Sequence, residues 1–222
     1  GREYESSQLI RLITNGNNVV IISPRRMGKT GLIQFCYDQP KIRNEYYTFF
    51  IDILHTSSLR EFTYFLGKEI YERLSLHSHK MAMLFIRTIK SINSLKVSFN
   101  SSNHPVFDIQ LGDIERPEYT LQEIFQYLAR IDKPCIIAFN EFQQITKYPE
   151  TKIEALLRTH IQQLVHCRFI FAGSEYRSMQ EIFLSPIRPF YHSTAMLNLR
   201  AIPADVYIPF IVEQFKQQNR TI

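Results

Sequence analysis

The sequence contains no tryptophan, few cysteines and no long hydrophobic run, and each of the last two shortages argues against a class of protein. The three cysteines, Cys36, Cys135 and Cys167, lie far apart, and their odd number argues against a disulfide framework. No apolar stretch approaches the ~20 residues that a membrane-spanning helix needs. The first residues, GREYESSQL, are polar and do not form a signal-peptide pattern, so we expect a cytoplasmic protein without a membrane partner.

The composition is that of a folded domain with a mild excess of positive charge. Hydrophobic residues make up 45% of the 222 residues and charged residues 21%, which argues against disorder. This length predicts one sizeable core, in one domain or in one domain with a fragment of another. Lys and Arg exceed Asp and Glu by 26 to 21, which is too mild to predict nucleic-acid binding but suits a protein that binds phosphates.

Short apolar runs alternate along the chain with segments of helical periodicity. Five runs predict core strands, at residues 19–23, 46–53, 135–140, 168–174 and 195–202. Strands separated by helices of this length favour a parallel sheet with helices on both faces, so the pattern predicts an α/β fold. Residues 95–111 instead contain two short alternating segments around SSNHP, which predict an inserted hairpin or an antiparallel edge.

Helix starts are predicted from capping boxes, in which a Ser or Thr begins a helix and a Glu in the first turn bonds back to it. The pairs with this spacing are Ser58 with Glu61, Thr120 with Glu123, and Thr151 with Glu154. We therefore predict helices that begin at residues 58, 120 and 151, with further helical segments at residues 28–39, at 81–92 and from 205 onward.

The segment SPRRMGKT, residues 23–30, lies between a predicted strand and a predicted helix, which is the context of a phosphate-binding P-loop. A loop that leads into a helix N-terminus directs unpaired backbone amides at one phosphate group. Lys29 adds a charge for the β- and γ-phosphates, Thr30 offers a hydroxyl to Mg²⁺, and Gly28 lets the backbone approach closely. The predicted nucleotide-binding residues are Pro24, Arg25, Arg26, Met27, Gly28, Lys29, Thr30 and Gly31.

The middle of this loop departs from the usual GxxxxGK[ST] pattern. Ser23 stands where the first Gly would be, and a small residue followed by Pro24 can still leave the strand, because the tight phosphate contacts come later. Arg25 and Arg26 have two interpretations. They lean over the phosphates or the base, or they are solvated on an exposed loop.

A second site element is the strand at residues 135–140, which leads to Asn140 and Glu141 where a P-loop ATPase would have an Asp-Glu pair. Glu141 is the predicted general base, polarising water for attack on the γ-phosphate. Asn140 can accept a hydrogen bond from a metal-bound water but brings no charge, so we expect weaker metal binding. The predicted metal-site residues are Thr30 and Asn140. An Asn at position 140 leaves two alternatives, in which the enzyme is slow or the position is altered to trap the nucleotide.

Ser174 follows the strand at residues 168–174, and a polar residue there can sense the γ-phosphate. The alternative is an ordinary serine at a helix start. With Lys29 and Glu141 it completes the predicted catalytic set. Arg177 and Arg188 are either stabilisers of transition-state charge or surface arginines. Asp52 either contacts the site or caps the loop after its strand.

Several of these segments together resemble the archaeal-type ATPase family, a branch of P-loop ATPases close to the STAND and AAA+ groups and to origin-recognition ATPases. The segments are GRE at residues 1–3, PRRMGKT at 24–30, NEFQ at 140–143, AGS at 172–174 and RPFY at 188–191. The resemblance covers nearly the whole chain. It implies a P-loop NTPase fold with a five-stranded, mostly parallel sheet, in which the P-loop strand is central and flanked by the strands of the acidic pair and the sensor.

The same resemblance implies ATP and Mg²⁺ as ligands, a core over residues 1–205 and the start of a truncated helical lid over residues 206–222. Two departures stand out. Asn140 replaces the family's Asp. The chain also ends where such proteins continue into a lid and a winged-helix or nuclease-like region, through which DNA would be contacted.

Two function classes remain open at this point. The leading hypothesis is an ATPase module that binds ATP with Mg²⁺ and uses binding or hydrolysis to switch an attached or neighbouring domain, in an oligomer or with a partner protein. The alternative is a nucleic-acid-binding module in which ATP is a static structural ligand. A small-molecule kinase is a weaker third hypothesis, since no lid of that kind is evident in the sequence.

Overall fold

The structure is a computed structural model that describes residues 2–92, 96–99, 105–108 and 110–217. Its strands are β1 (Val19–Ile22), β2 (Tyr47–Asp52), β3 (Lys96–Phe99), β4 (Pro105–Asp108), β5 (Cys135–Asn140), β6 (Cys167–Gly173) and β7 (Ala195–Asn198). Five of them form one parallel sheet in the order β2-β5-β6-β1-β7, and β3 pairs with β4. The predicted α/β fold with a five-stranded sheet is confirmed.

Helices cover both faces of this sheet. They are α1 (Glu3–Thr14), α2 (Lys29–Asp38), α3 (Pro40–Glu45), α4 (Leu59–His77), α5 (His79–Thr88), α6 (Pro117–Leu128), α7 (Ile153–Gln163), α8 (Tyr176–Leu184) and α9 (Ala204–Gln217), with 3₁₀ turns at Leu111–Asp113 and Phe142–Lys147. One apolar core joins the sheet to α1 and α2, and a larger one joins its other face to α4 through α8. Because strands buried on both faces need apolar residues throughout, β1 is a continuous apolar run, and β5 is one up to its last residue, Asn140.

The strand order corrects one expectation. The P-loop strand β1 lies between β6 and β7, and β6 is the central strand, with the acidic strand β5 on its other side. The apolar runs are alike in composition, so their composition alone does not predict which neighbour each strand takes. In the observed order, the end of β6 lies between the P-loop and Glu141.

One of the three predicted capping boxes begins its helix, although the return bond differs. Ser58 is the N-cap of α4, and its hydroxyl oxygen accepts a hydrogen bond from the backbone N–H of Glu61. The Glu61 carboxylate accepts from the N–H of Ser57 rather than from that of the cap residue. The helix start is confirmed.

The other two capping boxes were wrong. Helix α6 begins at Pro117, so Thr120 lies inside it, and the carboxylate of Glu123 accepts hydrogen bonds from the segment after α5. Helix α7 begins at Ile153, and Glu154 instead forms an ion pair with a distant arginine. In both cases a tertiary contact takes the glutamate that the local pattern assigned to the cap.

The remaining elements follow the sequence more closely. β3 and β4 are antiparallel, as the predicted hairpin requires, while residues 100–104 between them lie outside the described residues. All three cysteines are free and buried. None of the helices in the described ranges is long and apolar enough to cross a membrane.

Candidate functional site

The loop between β1 and α2 folds back on itself through two residues with left-handed backbone angles. Arg26 has φ 65° and Gly28 has φ 85°, and Gly28 is the residue that precedes α2. The start of the loop is fixed to the central strand, because the N–H of the buried Ser23 donates to the carbonyl of Gly173 at 3.2 Å. Ser23 therefore serves in place of glycine as the exit from the strand.

The N-terminus of α2 presents backbone amides without a competing cap. No side chain of the described residues caps it, and its first turn contains no acidic residue. The first N–H groups of a helix have no partner within the helix, and the helix dipole favours negative charge at this end. Gly28 and Thr30 are exposed here, so the amide cluster opens to the surface. This geometry fits a phosphate group.

Lys29 extends from this helix start into a buried position beside Glu141. Its side chain is 6% exposed, and Nζ lies 3.9 Å from Oε1 of Glu141. The ammonium also donates to the carbonyls of Ser23 at 3.1 Å and Pro24 at 3.4 Å. Burial is the main cause that lowers the pKa of Lys29, and the positive charge of Arg25 lowers this pKa further. The negative charge of Glu141 acts in the opposite direction and raises it. The structure thus brings the predicted phosphate-binding cation and the predicted base together.

Glu141 occupies a strained turn immediately after β5. Its backbone has φ 57°, and the residue is 7% exposed. Oε2 accepts hydrogen bonds from Nε2 of Gln143 at 2.7 Å, from the N–H of Ser174 at 3.3 Å and from the Ser174 hydroxyl. Three donors on one oxygen hold the carboxylate in a single orientation. Ser174, predicted as the γ-phosphate sensor, therefore lies directly beside the predicted base.

Gln143 ends the NEFQ segment, but the sequence did not indicate a role for it at the site. It is 1% exposed, and its amide nitrogen bonds the Glu141 carboxylate. It lies in the 3₁₀ turn Phe142–Lys147, whose position close under β6 could not be read from the chain alone. The signal in the sequence that could have indicated this role is the position of a glutamine two residues after a predicted base.

Asn140 is paired with Asp52 at the ends of two neighbouring strands. Nδ2 of Asn140 donates to Oδ2 of Asp52 at 3.0 Å, and Oδ1 of Asp52 accepts from the N–H of Leu54 at 3.0 Å. Both interpretations of Asp52 therefore hold, since it caps the following loop and contacts the site. Oδ1 of Asn140 is buried and has no hydrogen-bond partner among the described residues.

The predicted arginines divide between the loop and the packing of the helices. Arg25 and Arg26 are exposed on the P-loop, and Arg177 is exposed on α8. Arg188 instead joins α7 and α8 through ion pairs with Glu154 at 3.1 Å and Glu181 at 2.7 Å. This position gives Arg188 a structural contact that the sequence did not predict.

A cavity of about 640 Å³ adjoins the P-loop on the side of α1. It is lined by residues of α1, of the P-loop, of α2 including Phe35, of the segment before α9, and of α9 itself including Tyr207 and Phe210. Arg2 ties these parts together, since its guanidinium donates to the carbonyls of Met27 at 2.9 Å and Arg200 at 2.8 Å. Arg2 belongs to the GRE segment, but its role follows only from the tertiary structure.

Solved structures with a similar fold are found, whereas no family model and no curated protein sequence matches this chain. A Walker-type ATPase of Pyrococcus abyssi is 20% identical with a TM-score of 0.59, over 100% of this chain and 59% of that chain. The ORC2 protein of Aeropyrum pernix, solved in ADPNP-ADP complexes, is 13% identical with a TM-score of 0.62 over 97% of this chain and 52% of that chain. The ORC1 protein of the same organism, solved in complex with DNA, is 12% identical with a TM-score of 0.56. The match covers 98% of this chain and 49% of that chain.

The chain has the fold that this Walker-type ATPase and these two ORC proteins share. This likeness matches the strand–loop–helix at SPRRMGKT and the parallel sheet whose carboxyl ends hold Lys29, Glu141 and Ser174. The chain spans between 49% and 59% of the lengths of these three structures. At this level of identity the ORC-like fold is what the comparisons establish.

Proposed function

We propose that the chain is an ATP-binding and ATP-hydrolysing switch module that couples its nucleotide state to an attached or partner domain. The observation that carries this proposal is the 3.9 Å approach of Lys29 Nζ to Glu141 Oε1 at the N-terminus of α2. A cation for the phosphates and a carboxylate for water lie side by side there. Hydrolysis of a triphosphate requires both groups at one place, because its catalysis is mostly positioning and charge stabilisation.

The phosphate-binding step uses the loop from Pro24 to Gly31. Its backbone amides at the start of α2 donate to the phosphates, and Lys29 exchanges the neutral carbonyls of Ser23 and Pro24 for charged oxygens. This exchange is favourable because a hydrogen bond to a charged oxygen is stronger than one to a carbonyl. Arg25 and Arg26, both exposed, supply further positive charge at the mouth of the site.

In the hydrolytic step Glu141 accepts a proton from the attacking water. Oε2 is occupied by three donors, so Oε1, which faces Lys29, is the oxygen that remains to bind the water. The Ser174 hydroxyl donates a hydrogen bond to the Glu141 carboxylate, and Ser174 lies between Glu141 and the P-loop strand. From this position the hydroxyl can donate to a γ-phosphate oxygen instead of to Glu141. This places the base and the sensor in one hydrogen-bonded unit.

The oxygen donors at the site fit Mg²⁺, which prefers such ligands and is usually held by one or two protein groups together with substrate phosphates. The Thr30 hydroxyl is exposed at the start of α2, and the unpartnered Oδ1 of Asn140 is an oxygen that needs a donor. When bound, Mg²⁺ would neutralise charge on the phosphate oxygens. Thr30 would hold it directly and Asn140 through a water.

The cavity beside the P-loop is suited to the nucleobase and ribose. It is continuous with Met27 and Gly28 of the phosphate-binding loop, and aromatic and aliphatic side chains line it. Apolar walls with a few polar groups are the common surroundings of a nucleobase. The wall contributed by Tyr207 and Phe210 would connect the bound nucleotide to α9.

We assign residues 1–205 to the ATPase core and residues 206–222 to the start of a helical lid. Helix α9 supports this division, because none of its residues is buried and several of its apolar side chains are exposed. A nucleotide that fills the cavity would contact this helix, and the nucleotide state would thereby reach whatever α9 packs against.

A DNA-binding module with ATP as a static ligand is the alternative. Its support is the fold shared with the Aeropyrum pernix ORC1 protein, which was solved in complex with DNA. The two proposals differ in their dependence on Lys29. DNA affinity with a steep salt dependence that survives Lys29→Ala, in a protein without ATP turnover, would favour the alternative.

Calorimetric titration with ATP and Mg²⁺ tests the proposed function. The wild-type protein is expected to bind, and Lys29→Ala is expected to lose binding, since the variant lacks the buried phosphate-binding charge. Lys41→Ala, which removes an exposed lysine of α3, is the matched control and should bind as the wild type does. Absence of binding heat in the wild type, or binding that survives in Lys29→Ala, would contradict the proposal.

A further inference from the structure

The hydrogen bond between Asn140 and Asp52 joins the last residues of two paired strands. Asp52 ends β2 and Asn140 ends β5, and the two are direct partners in the parallel register. Nδ2 of Asn140 lies 3.0 Å from Oδ2 of Asp52. A charged carboxylate therefore adjoins the residue that immediately precedes Glu141.

This bond determines which way the Asn140 amide faces. An ionised carboxylate only accepts hydrogen bonds, so Asn140 must present its nitrogen to Asp52 and its oxygen to the opposite side. Asn140 as a whole is 7% exposed, and its amide oxygen is buried. This oxygen has no hydrogen-bond partner among the described residues. Burying an acceptor without a donor is unfavourable, which points to a donor that arrives with the ligand.

Asn140 lies on the face of the sheet that α2 covers. Side chains alternate along a strand, so Asn140 shares its face with Ile136 and Ala138. These two belong to the same core as Leu32 and Ile33 of α2. The first turn of α2 contains Lys29 and Thr30, the residues assigned to phosphate and metal. The Asn140–Asp52 pair thus lies on the sheet face covered by the helix that begins at the phosphate-binding site.

We propose that Asp52 supplies the negative charge of the magnesium site from the neighbouring strand, acting through Asn140. The amide oxygen of Asn140 accepts a hydrogen bond from a metal-bound water. The bond to Asp52 strengthens it as an acceptor, because hydrogen bonds in a chain polarise one another. Asp52 is a positioning residue in this scheme. The inference rests on the proposed ATP·Mg²⁺ binding.

The test measures the affinity for the non-hydrolysable analogue AMPPNP by calorimetry, once with Mg²⁺ and once with EDTA. The dissociation constant in EDTA divided by the dissociation constant with Mg²⁺ reports what the metal contributes to binding. This ratio needs no turnover. For Asp52→Asn we expect this ratio to fall about tenfold, as is typical when a group behind a metal ligand is lost. Affinity in EDTA should stay unchanged, since the P-loop is intact. Asp38→Asn, at the exposed far end of α2, is the matched control and should keep the wild-type ratio.

The double variant Asp52→Asn with Asn140→Asp exchanges the two groups and preserves their hydrogen bonds. Residue 52 can still accept from the N–H of Leu54 through its amide oxygen and can now donate to the carboxylate at position 140. Charge then lies directly at the metal site. We expect the ratio to recover to the wild-type value or above it. Asn140→Asp alone should unfold at a lower temperature, because two carboxylates would face each other.

The outcomes separate this inference from the proposed function. If Asp52→Asn keeps the wild-type ratio while its melting temperature and EDTA affinity are normal, the charge does not act on the metal and the inference is overturned. If the ratio falls in Asp52→Asn but stays low in the exchanged variant, the role of the charge is likewise contradicted. If wild-type protein binds no AMPPNP in either condition, the proposed function itself fails.

Discussion

The side-chain hydroxyl of Ser174 donates a hydrogen bond to Oε2 of Glu141. The two residues follow neighbouring strands, β6 and β5, and the backbone N–H of Ser174 bonds the same oxygen at 3.3 Å. The predicted sensor and the predicted base therefore form one hydrogen-bonded unit. Any ligand that takes the serine hydroxyl would change the surroundings of the carboxylate, and under the proposed function this would link recognition of the γ-phosphate to activation of water.

Glu141→Gln should keep nucleotide binding and lose turnover. The glutamine oxygen can still accept from Ser174 and Gln143, so the loop geometry is preserved while the proton acceptor is lost. We expect turnover to fall at least about 100-fold, the lower range for loss of a general base. Calorimetry and phosphate release measure the two properties separately. Turnover at the wild-type rate in this variant would show that Glu141 is not the base.

Ser174→Ala should reduce the preference for ATP over ADP with the fold intact. The backbone N–H of residue 174 and the amide of Gln143 still hold Glu141, so only the hydroxyl is removed. A hydrogen bond to a charged oxygen contributes enough that we expect the ratio of ADP to ATP dissociation constants to fall about tenfold. An unchanged ratio would leave Ser174 as a residue that only positions Glu141.

Gly173→Ala should destabilise the protein, because a methyl group there meets packed side chains. A Cβ at this position would lie 2.6 Å from Oε1 of Gln143 and would overlap the side chain of Met179. Overpacking of this kind costs about 1–3 kcal/mol of unfolding free energy. Thermal and denaturant unfolding measure it. Gly112→Ala, where a Cβ meets no atom within 4 Å, is the control and should change stability much less.

His160 should make the protein less stable in mild acid. Burial lowers the pKa of His160 below its ordinary value of 6.5, and its ring packs on Phe125 at 5.2 Å. As pH falls below 6.5 the unfolded chain binds this proton before the folded one does, so unfolding free energy declines through that window. His160→Phe keeps an aromatic ring but cannot bind this proton. It should therefore reduce the slope of the unfolding free energy against pH, by an amount that corresponds to at most one proton per molecule. His79→Phe, an exposed histidine on α5, should not.

The local elements were predictable to the extent that their signals are local. The P-loop strand, the acidic strand and the two antiparallel strands of the hairpin follow from apolar runs and turn residues, and the structure confirms these strands. The helix starts at Thr120 and Thr151 were wrong because Glu123 and Glu154 bond distant partners. A capping pattern describes what a glutamate can do nearby and contains no information on which group competes for it.

The amino-acid sequence by itself determined the chemistry available at the candidate site, because the residue types in SPRRMGKT and at positions 140, 141 and 174 are of the kinds suited to phosphate, metal and water. Only the tertiary structure decided which of them meet. The placement of β6 between β1 and β5 brings Ser174 against Glu141, and the pairing of β2 with β5 brings Asp52 against Asn140. Strand pairing joins residues far apart in the chain, and the similar composition of the apolar strands does not predict which of them become neighbours.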